Sequence, residues 1–374
     1  MTLLFAGFIV MACGPTVAPS AQTSPAVSPT PTELSQATPT PTSQPAPIGG
    51  SASVTCSGRP GAAMAVVAGQ FVYDVSDPVH PRLVCRTNNT YLHLLDGNAI
   101  AYTTVAARKV VIVRRDLTTG AESRIGQLPA DPHGAKSWTS DGSLEVYATS
   151  GVPGANGRWL VKVHLWSDGA DHVLYTIDAG PGGLEGRWSP LPMVEISPDH
   201  AYVAISDNTF TITSYNVRIF SVLDLRQKFV TGTAFGGAWI ANDRFVWATA
   251  SGSAMQWTPT GGAKLLRSEH WFGPTSSSDG GWLAATLLTD TSKPRVLMVP
   301  VGGGRTFQTG LGSGPAFVTP TVVWYEEEGP GTGFDPTSPN GIVHSFDLTN
   351  GSNQVVQFRV GEKPIGTLCC TTRI

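Results

Sequence analysis

One unit of turn and strand returns along this chain and restricts what it can become, because it builds small antiparallel sheets and nothing else. The segment 188–226, WSPLPMVEISPDHAYVAISDNTFTITSYNVRIFSVLDLR, holds its fullest form. A strand expected over Met193 to Ile196 runs into the turn Ser197-Pro198-Asp199-His200. A second strand follows over Ala201 to Ser206, then a polar hairpin, then a third over Val217 to Leu225. Pro198 presets φ for the first central position of a type I turn, and Asp199 can bond backbone groups two residues on. Along the third strand Val217, Ile219, Ser221 and Leu223 alternate with Arg218, Phe220, Val222 and Asp224. A sheet of four such strands cannot bury both faces alone and has to stack on others.

Used as a ruler, the turn recurs at Asp96-Gly97, Asp141-Gly142, Asp199-His200, Asp243-Arg244, Asp279-Gly280 and Pro320-Thr321, each time before an apolar strand. A weaker copy at Pro60-Gly61 precedes AMAVVAG. The intervals run from 35 to 58 residues, the range of radially repeated folds. Third strands follow in order, among them KVVIVRRDL, NVRIFSVLDL and RVLMVPV, and fourth strands such as SRIGQL, HVLYTI and VVQFRV. In the first copy FVYDV and RLVCR are expected to fill the third and fourth places. Seven units of four strands make an all-β chain folded as a seven-bladed β-propeller, with six or eight blades as the alternative count. A pair of β-sandwich domains is the competing architecture, and it does not account for the regular return of one strand order.

Composition agrees. There are 42 glycines and 29 prolines, and charged residues make up 14% of the chain. No long stretch has helical periodicity, so short strands joined by many turns are expected. The formal net charge is -3 and the Lys and Arg residues are scattered, which argues against a nucleic-acid partner. Ser197-Pro198-Asp199, with Thr139-Ser140-Asp141-Gly142 and Ser277-Ser278-Asp279-Gly280 as partial matches, resembles the WD40-like or TolB-type propeller repeat, in which Ser-Pro-Asp-Gly introduces an apolar strand. The first-copy run FVYDVSDPVHPRLV also looks like a propeller repeat. That resemblance implies a scaffold over about 300 residues and no particular chemistry.

The N-terminal region points to an address. Leu3 to Ala12 is an apolar run of h-region length, too short to cross a bilayer as a helix. It ends in Val10-Met11-Ala12-Cys13-Gly14, which resembles the lipobox of bacterial lipoproteins, although Met11 is bulkier than usual and Met1-Thr2 carry no Lys or Arg. The resemblance implies a signal peptide over residues 1–13 and lipidation of Cys13. Residues 14–50, with Pro29-Thr30-Pro31-Thr32 and Pro39-Thr40-Pro41-Thr42, have little to bury and are expected to form a tether. The propeller would then span 51–374, held by lipid at the outer face of the bacterial cell membrane.

Four further cysteines, Cys56, Cys85, Cys369 and Cys370, lie in the first copy and at the C-terminal end. A propeller joins its first and last blades, so a bond from Cys56 or Cys85 to Cys369 or Cys370 is expected to reinforce closure. A local Cys56 to Cys85 bond is the other reading. No metal or cofactor is expected, because the eight histidines stand singly and no CxxC occurs. Glu326-Glu327-Glu328, with Asp335 beyond it, could form a cation site but reads better as a solvated strand end. Ser277 to Trp282 lacks the Asp-box spacing of sialidases, and Gly310 to Gly314 suits a blade connection better than a nucleophile elbow. Trp138, Trp188, Trp239, Trp271 and Trp282 are expected to pack between blades.

The functional expectation is a binding or scaffold module for an extracellular protein, peptide or glycan, without catalysis. The wide loops Gly151 to Gly157, Gly180 to Pro192 and Gly329 to Gly341 would help to form its binding face. An extracellular hydrolase or lyase, with acids and bases converging on the central channel, is the alternative.

Overall fold

The structure is a computed structural model. It describes residues 54–87, 92–106, 109–128, 137–138, 143–149, 152–153, 158–167, 169–181, 194–206, 216–289, 293–327 and 341–363. Cys13, the expected signal and tether segments, most of the three wide loops (all but 152–153, 180–181 and 341), Asp335, Cys369 and Cys370 lie outside the described residues.

Seven antiparallel sheets form seven blades. Blades four to seven are laid down in simple sequence order, as in the fourth: Val194–Ile196, Tyr202–Ser206, Val217–Ser221 and Gln227–Val230, from the inner to the outer strand. The second blade follows the same order. The third is enlarged, because its long strands Arg158–Ser167 and Ala170–Pro181 outrun the second strand Leu144–Ala148, and a short strand Val152–Pro153 pairs with the overhang.

Burial falls from the axis outward. Second strands such as Val322–Glu326 and Leu144–Ala148 are buried at every position, since a neighbouring blade covers each face. This is why they read as continuous apolar runs rather than alternating ones. Outer strands such as Gln227–Val230 and Asn353–Val355 are mostly exposed.

Each of the seven junctions between consecutive blades has its own apolar cluster. Ile112 and Leu128 meet Tyr147 and Trp166 between the second and third, and Val217 and Ile219 meet Trp239 and Trp247 between the fourth and fifth. The cluster between the seventh and first blades, with Val318, Trp324 and Val356 against Val67 and Tyr73, closes the ring.

The first blade departs from the expected strand order. Its sheet order is Val54–Cys56, Arg82–Thr87, Phe71–Asp74, Met64–Val67, with Met64–Val67 innermost against the inner strands of its neighbours. FVYD is therefore a second strand and RLVCRT a third, and the outer strand comes from upstream. The bond from Leu92 N to Gly69 O, 2.8 Å, sets the end of this inner strand beside the start of the next blade's. The inner strand of the first blade thus runs opposite to the others. Residues 57–63 must cross the end of the blade to reach it.

The cysteine expectation is corrected here. Cys56 is bonded to Cys85, its direct cross-strand neighbour, so the disulfide staples the outer strand within the first blade instead of joining the chain ends. Closure relies on the apolar cluster and on hydrogen bonds across the seam. Trp324 Nε1 donates to Pro78 O at 3.1 Å, Gln357 N to Val79 O at 2.7 Å, and Leu83 N to Glu362 Oε2 at 3.4 Å. Tyr73 Oη donates to the backbone carbonyl of Glu362. Burial, and then the charge of Glu362, push the Tyr73 phenol well above its ordinary range, so it stays a donor.

A candidate functional site at one end of the channel

The described turns among those that served as a ruler in the sequence gather at one end of the ring. In the fourth blade Ser197 Oγ donates to Asp199 Oδ1 at 2.6 Å and accepts from Tyr202 N at 2.9 Å, while Asp199 Oδ1 accepts from Ala201 N at 3.1 Å. The sixth blade repeats this, with Ser277 Oγ to Asp279 Oδ1 at 2.6 Å, Trp282 N to Ser277 Oγ at 2.9 Å and Gly281 N to Asp279 Oδ1 at 3.0 Å. The fourth turn position is left-handed in both, at φ 61° for His200 and 69° for Gly280. His200 is therefore a turn residue, as its place in the repeat suggested.

Between the sixth, seventh, first and second blades this end holds a cavity of about 370 Å³. The ends of three inner strands and their turns wall it, through Ser276 and Ser278, Phe317 and Thr319, and Leu94 to Asn98. The reversed inner strand supplies the fourth wall, from Ala62 to Ala65. That wall is braced from behind. Ala62 N and Ala63 N donate to Ser76 Oγ at 3.1 and 3.3 Å, and Arg82 bridges Arg59 O at 2.9 Å and Asp74 Oδ2 at 2.7 Å. Gly61 fits only without a side chain, since a Cβ there would lie 1.9 Å from Asp74 Oδ1. Burial raises the Asp74 carboxyl, but bonds from Ser76 and Arg82 outweigh it and hold the group below its ordinary value of 3.8.

The lining mixes Met64, Leu94, Leu95, Phe317 and Val318 with Asn98, Ser278 and Thr319, and its one ionisable side chain is Asp96. Asp96, Gly97 and Asn98 are exposed at the rim. A half-apolar cavity with a few polar groups and one carboxylate suits reversible binding of a small group.

His164 of the third blade and His344 of the seventh sit inside the sheets instead, whereas His172 of the third is exposed. His164 stacks on Tyr147 with ring centroids 4.9 Å apart, and its Nδ1 lies 2.8 Å from Asp171 Oδ2. Tyr147 Oη donates to Asp171 Oδ1 at 2.7 Å, and burial followed by this bond pushes the phenol well above its usual range. In the seventh blade His344 stacks on Tyr325 at 5.1 Å and its Nε2 lies 2.8 Å from Glu327 Oε2. The same pairing of second-strand Tyr with third-strand His, Tyr147 with His164 and Tyr325 with His344, marks these as repeated packing devices.

Glu326, expected as a solvated strand end, is 4% exposed, because the second strand is covered on both faces. Among the described residues no three His, Cys, Asp or Glu side chains come together to hold a metal ion. Trp239 and Trp271 are fully buried between blades, as expected; the side chain of Trp138 and all of Trp188 are outside the described residues.

Sequence reasoning missed the cavity. Its signal was present in Asp96-Gly97, which the repeat used only as a landmark, but the fourth wall depends on a strand reversal that no local pattern announces.

No protein-family model and no curated protein matches this sequence. Among solved structures, one from a study of two prolyl endopeptidases aligns with 78% of this chain at a TM-score of 0.50 and 13% identity. This chain covers 47% of that one, about half its length. An uncharacterised protein from Listeria monocytogenes aligns over 78% of this chain and 84% of its own, at a TM-score of 0.50 and 6% identity. A putative TolB from Agrobacterium tumefaciens superposes more loosely, over 63% of this chain and 84% of its own at 17% identity and a TM-score of 0.39. At these identities the likeness is one of fold. The chain is a seven-bladed β-propeller whose fold resembles part of a prolyl endopeptidase.

Proposed function

We propose that this protein is a binding propeller, held by a lipid on Cys13 at the outer face of a bacterial membrane, that captures an extracellular peptide, protein or glycan at the channel end. The observation that carries the binding reading is the cavity of about 370 Å³ walled by four blades. Its wall is held by hydrogen bonds within the first blade, so it is formed before a ligand arrives. Preformed sites lose less ordering entropy on binding. The lipid reading rests on the lipobox-like run Val10 to Gly14 and the Pro- and Thr-rich stretch after it.

Two experiments test the two halves. Full-length protein in a bacterial host should incorporate a clickable fatty acid and partition into membranes, and Cys13→Ala should abolish both. For binding, envelope peptides, proteins and glycans would be screened against the full chain and against Ala62→Trp, which fills the mouth from an exposed position. Ligands retained by wild type and lost by Ala62→Trp support the cavity; equal retention by both places binding elsewhere.

A further inference from the structure

The repeat that builds the turns also distributes charge around the cavity. The turn between inner and second strands carries an aspartate in the second, fourth, fifth and sixth blades: Asp96, Asp199, Asp243 and Asp279. All four are exposed. They share one end of the ring. Asp96 lines the cavity together with Ser278, which adjoins Asp279, and the turn at Gly280 lies against Ile240, next to the fifth-blade turn. The basic groups at these turns are His200 and Arg244, beside Asp199 and Asp243, and Arg114, whose Nη2 donates to Asp96 O at 3.4 Å.

The acids are spaced from blade to blade rather than drawn together, and no group able to hold a metal ion forms among the described residues. A half-apolar cavity with one carboxylate at its rim, and others dispersed on neighbouring turns, selects a different cation: an extended organic one, whose stem fills the cavity while its charge stays at the rim. Arginine and lysine side chains have that form, with an aliphatic stem and a charged head that prefers water.

We infer that the channel-end cavity takes an arginine or lysine side chain of a peptide segment, its stem against Met64, Leu94 and Phe317 and its charged head at Asp96. The inference rests on the binding function proposed above and specifies its ligand. Asp199, Asp243 and Asp279 act at longer range, drawing basic segments to this face and speeding capture in a salt-dependent way.

The test uses the full chain and two probes, acetyl-Ala-Arg-Ala-amide and the same peptide with citrulline, the neutral isostere of arginine, measured by calorimetry or ligand-observed NMR. The arginine peptide is expected to bind about tenfold more tightly than the citrulline one at low salt. Asp96→Asn should weaken it about fivefold, as for a partly solvated ion pair, and leave citrulline binding unchanged. Ala62→Trp and Ser278→Trp, both at exposed lining positions, should remove binding of both peptides while the circular dichroism stays native.

Equal binding of the two peptides, blocked by Ala62→Trp, would overturn the cationic ligand and leave the cavity as a binding site. An arginine preference that survives both tryptophan variants would overturn the cavity itself. Failure of either peptide to bind at millimolar concentration would overturn the arginine inference alone, because the envelope screen judges the broader reading independently.

Discussion

Replacing Trp324 by phenylalanine should open the ring at one place. Trp324 is fully buried in the second strand of the seventh blade, where its indole donates to Pro78 O of the first blade at 3.1 Å. Its ring meets Tyr73 and Phe358 edge-on at 6.1 and 5.6 Å. Phenylalanine preserves one six-membered ring and loses the donor. The void, roughly 40 Å³ at about 24 cal/mol per Å³, costs about 1 kcal/mol, and lost transfer energy adds about as much again. Stripping the donor from the Pro78 carbonyl costs about 1 kcal/mol more, less if water reaches it. A loss of about 2–3 kcal/mol lowers the melting temperature of a domain this size by about 3–5 °C.

Location is the sharper readout. Trp239→Phe makes an equivalent loss between the fourth and fifth blades, where the indole donates to Glu195 O at 3.3 Å. By hydrogen-exchange mass spectrometry, Trp324→Phe should deprotect Phe71–Asp74 together with residues 356–362, whereas Trp239→Phe should leave both protected. If Trp324→Phe deprotects the seventh blade and leaves the first untouched, the seam is held by something other than these contacts and the account of closure is wrong.

Three more outcomes follow from particular contacts. Thiol mapping of the oxidised protein should yield a Cys56–Cys85 peptide that persists in a Cys369→Ser/Cys370→Ser variant; with a sequence separation of 29 between the two cysteines, removing the bond costs about 3–4 kcal/mol in the chain-entropy model. A Cys85–Cys369 peptide would restore the closure bond instead. Gly280→Ala should destabilise by more than about 2 kcal/mol in urea titration, because its Cβ would lie 2.0 Å from Ile240 O in a left-handed position, while His200→Gly in the matching turn should be neutral or stabilising by up to about 1 kcal/mol. The depressed Asp74 carboxyl contributes stability that is present above its unfolded value, near 3.8, and lost as pH falls through the lower folded value. Exchange of residues 59–63 should therefore rise below about pH 4, and Asp74→Asn should show the same loosening already at pH 7.

The blade count and the strand-by-strand order of the fourth to seventh blades were legible because each turn from inner to second strand is a local event, in the fourth and sixth blades with its own side-chain bonds. Ser197 and Asp199 make theirs with groups no more than five residues away. The tryptophans were legible for a related reason: a large ring on a strand covered from both sides has only a neighbouring blade to pack on. The cysteine pairing was not. The closure argument correctly took the first and last segments as neighbours, but it assumed an orthodox first blade. Once Val54–Cys56 becomes the outer strand, Cys56 lies directly opposite Cys85 and the bond is local. The cavity stayed hidden for the same reason, since its wall at Ala62 to Ala65 belongs to the reversed strand. Glu326 was misjudged because three consecutive glutamates suggest solvent, whereas the second-strand position decides burial.

The reversal in the first blade ties closure and site together. With an ordinary first blade, the inner strand would start at the opposite end, and the chain would have no reason to cross the mouth. Reversal forces residues 57–63 over the blade end, and the Asp74, Ser76 and Arg82 bonds hold them there. The same crossing leaves the first blade without a strand donated from the last, so the ring closes through side chains such as Tyr73 and Trp324. The cavity therefore sits on the junction where no shared strand joins the ring and packing and a few hydrogen bonds hold it. A ligand that bridges the first and seventh blades, touching Met64 and Phe317 together, stabilises that junction by mass action, by about 2.7 kcal/mol at one hundred times its dissociation constant. Saturating acetyl-Ala-Arg-Ala-amide should accordingly restore much of the protection that Trp324→Phe removes from Phe71–Asp74, and should do nothing for the fourth and fifth blades of Trp239→Phe. Rescue of both variants alike would mean that the peptide binds away from the seam.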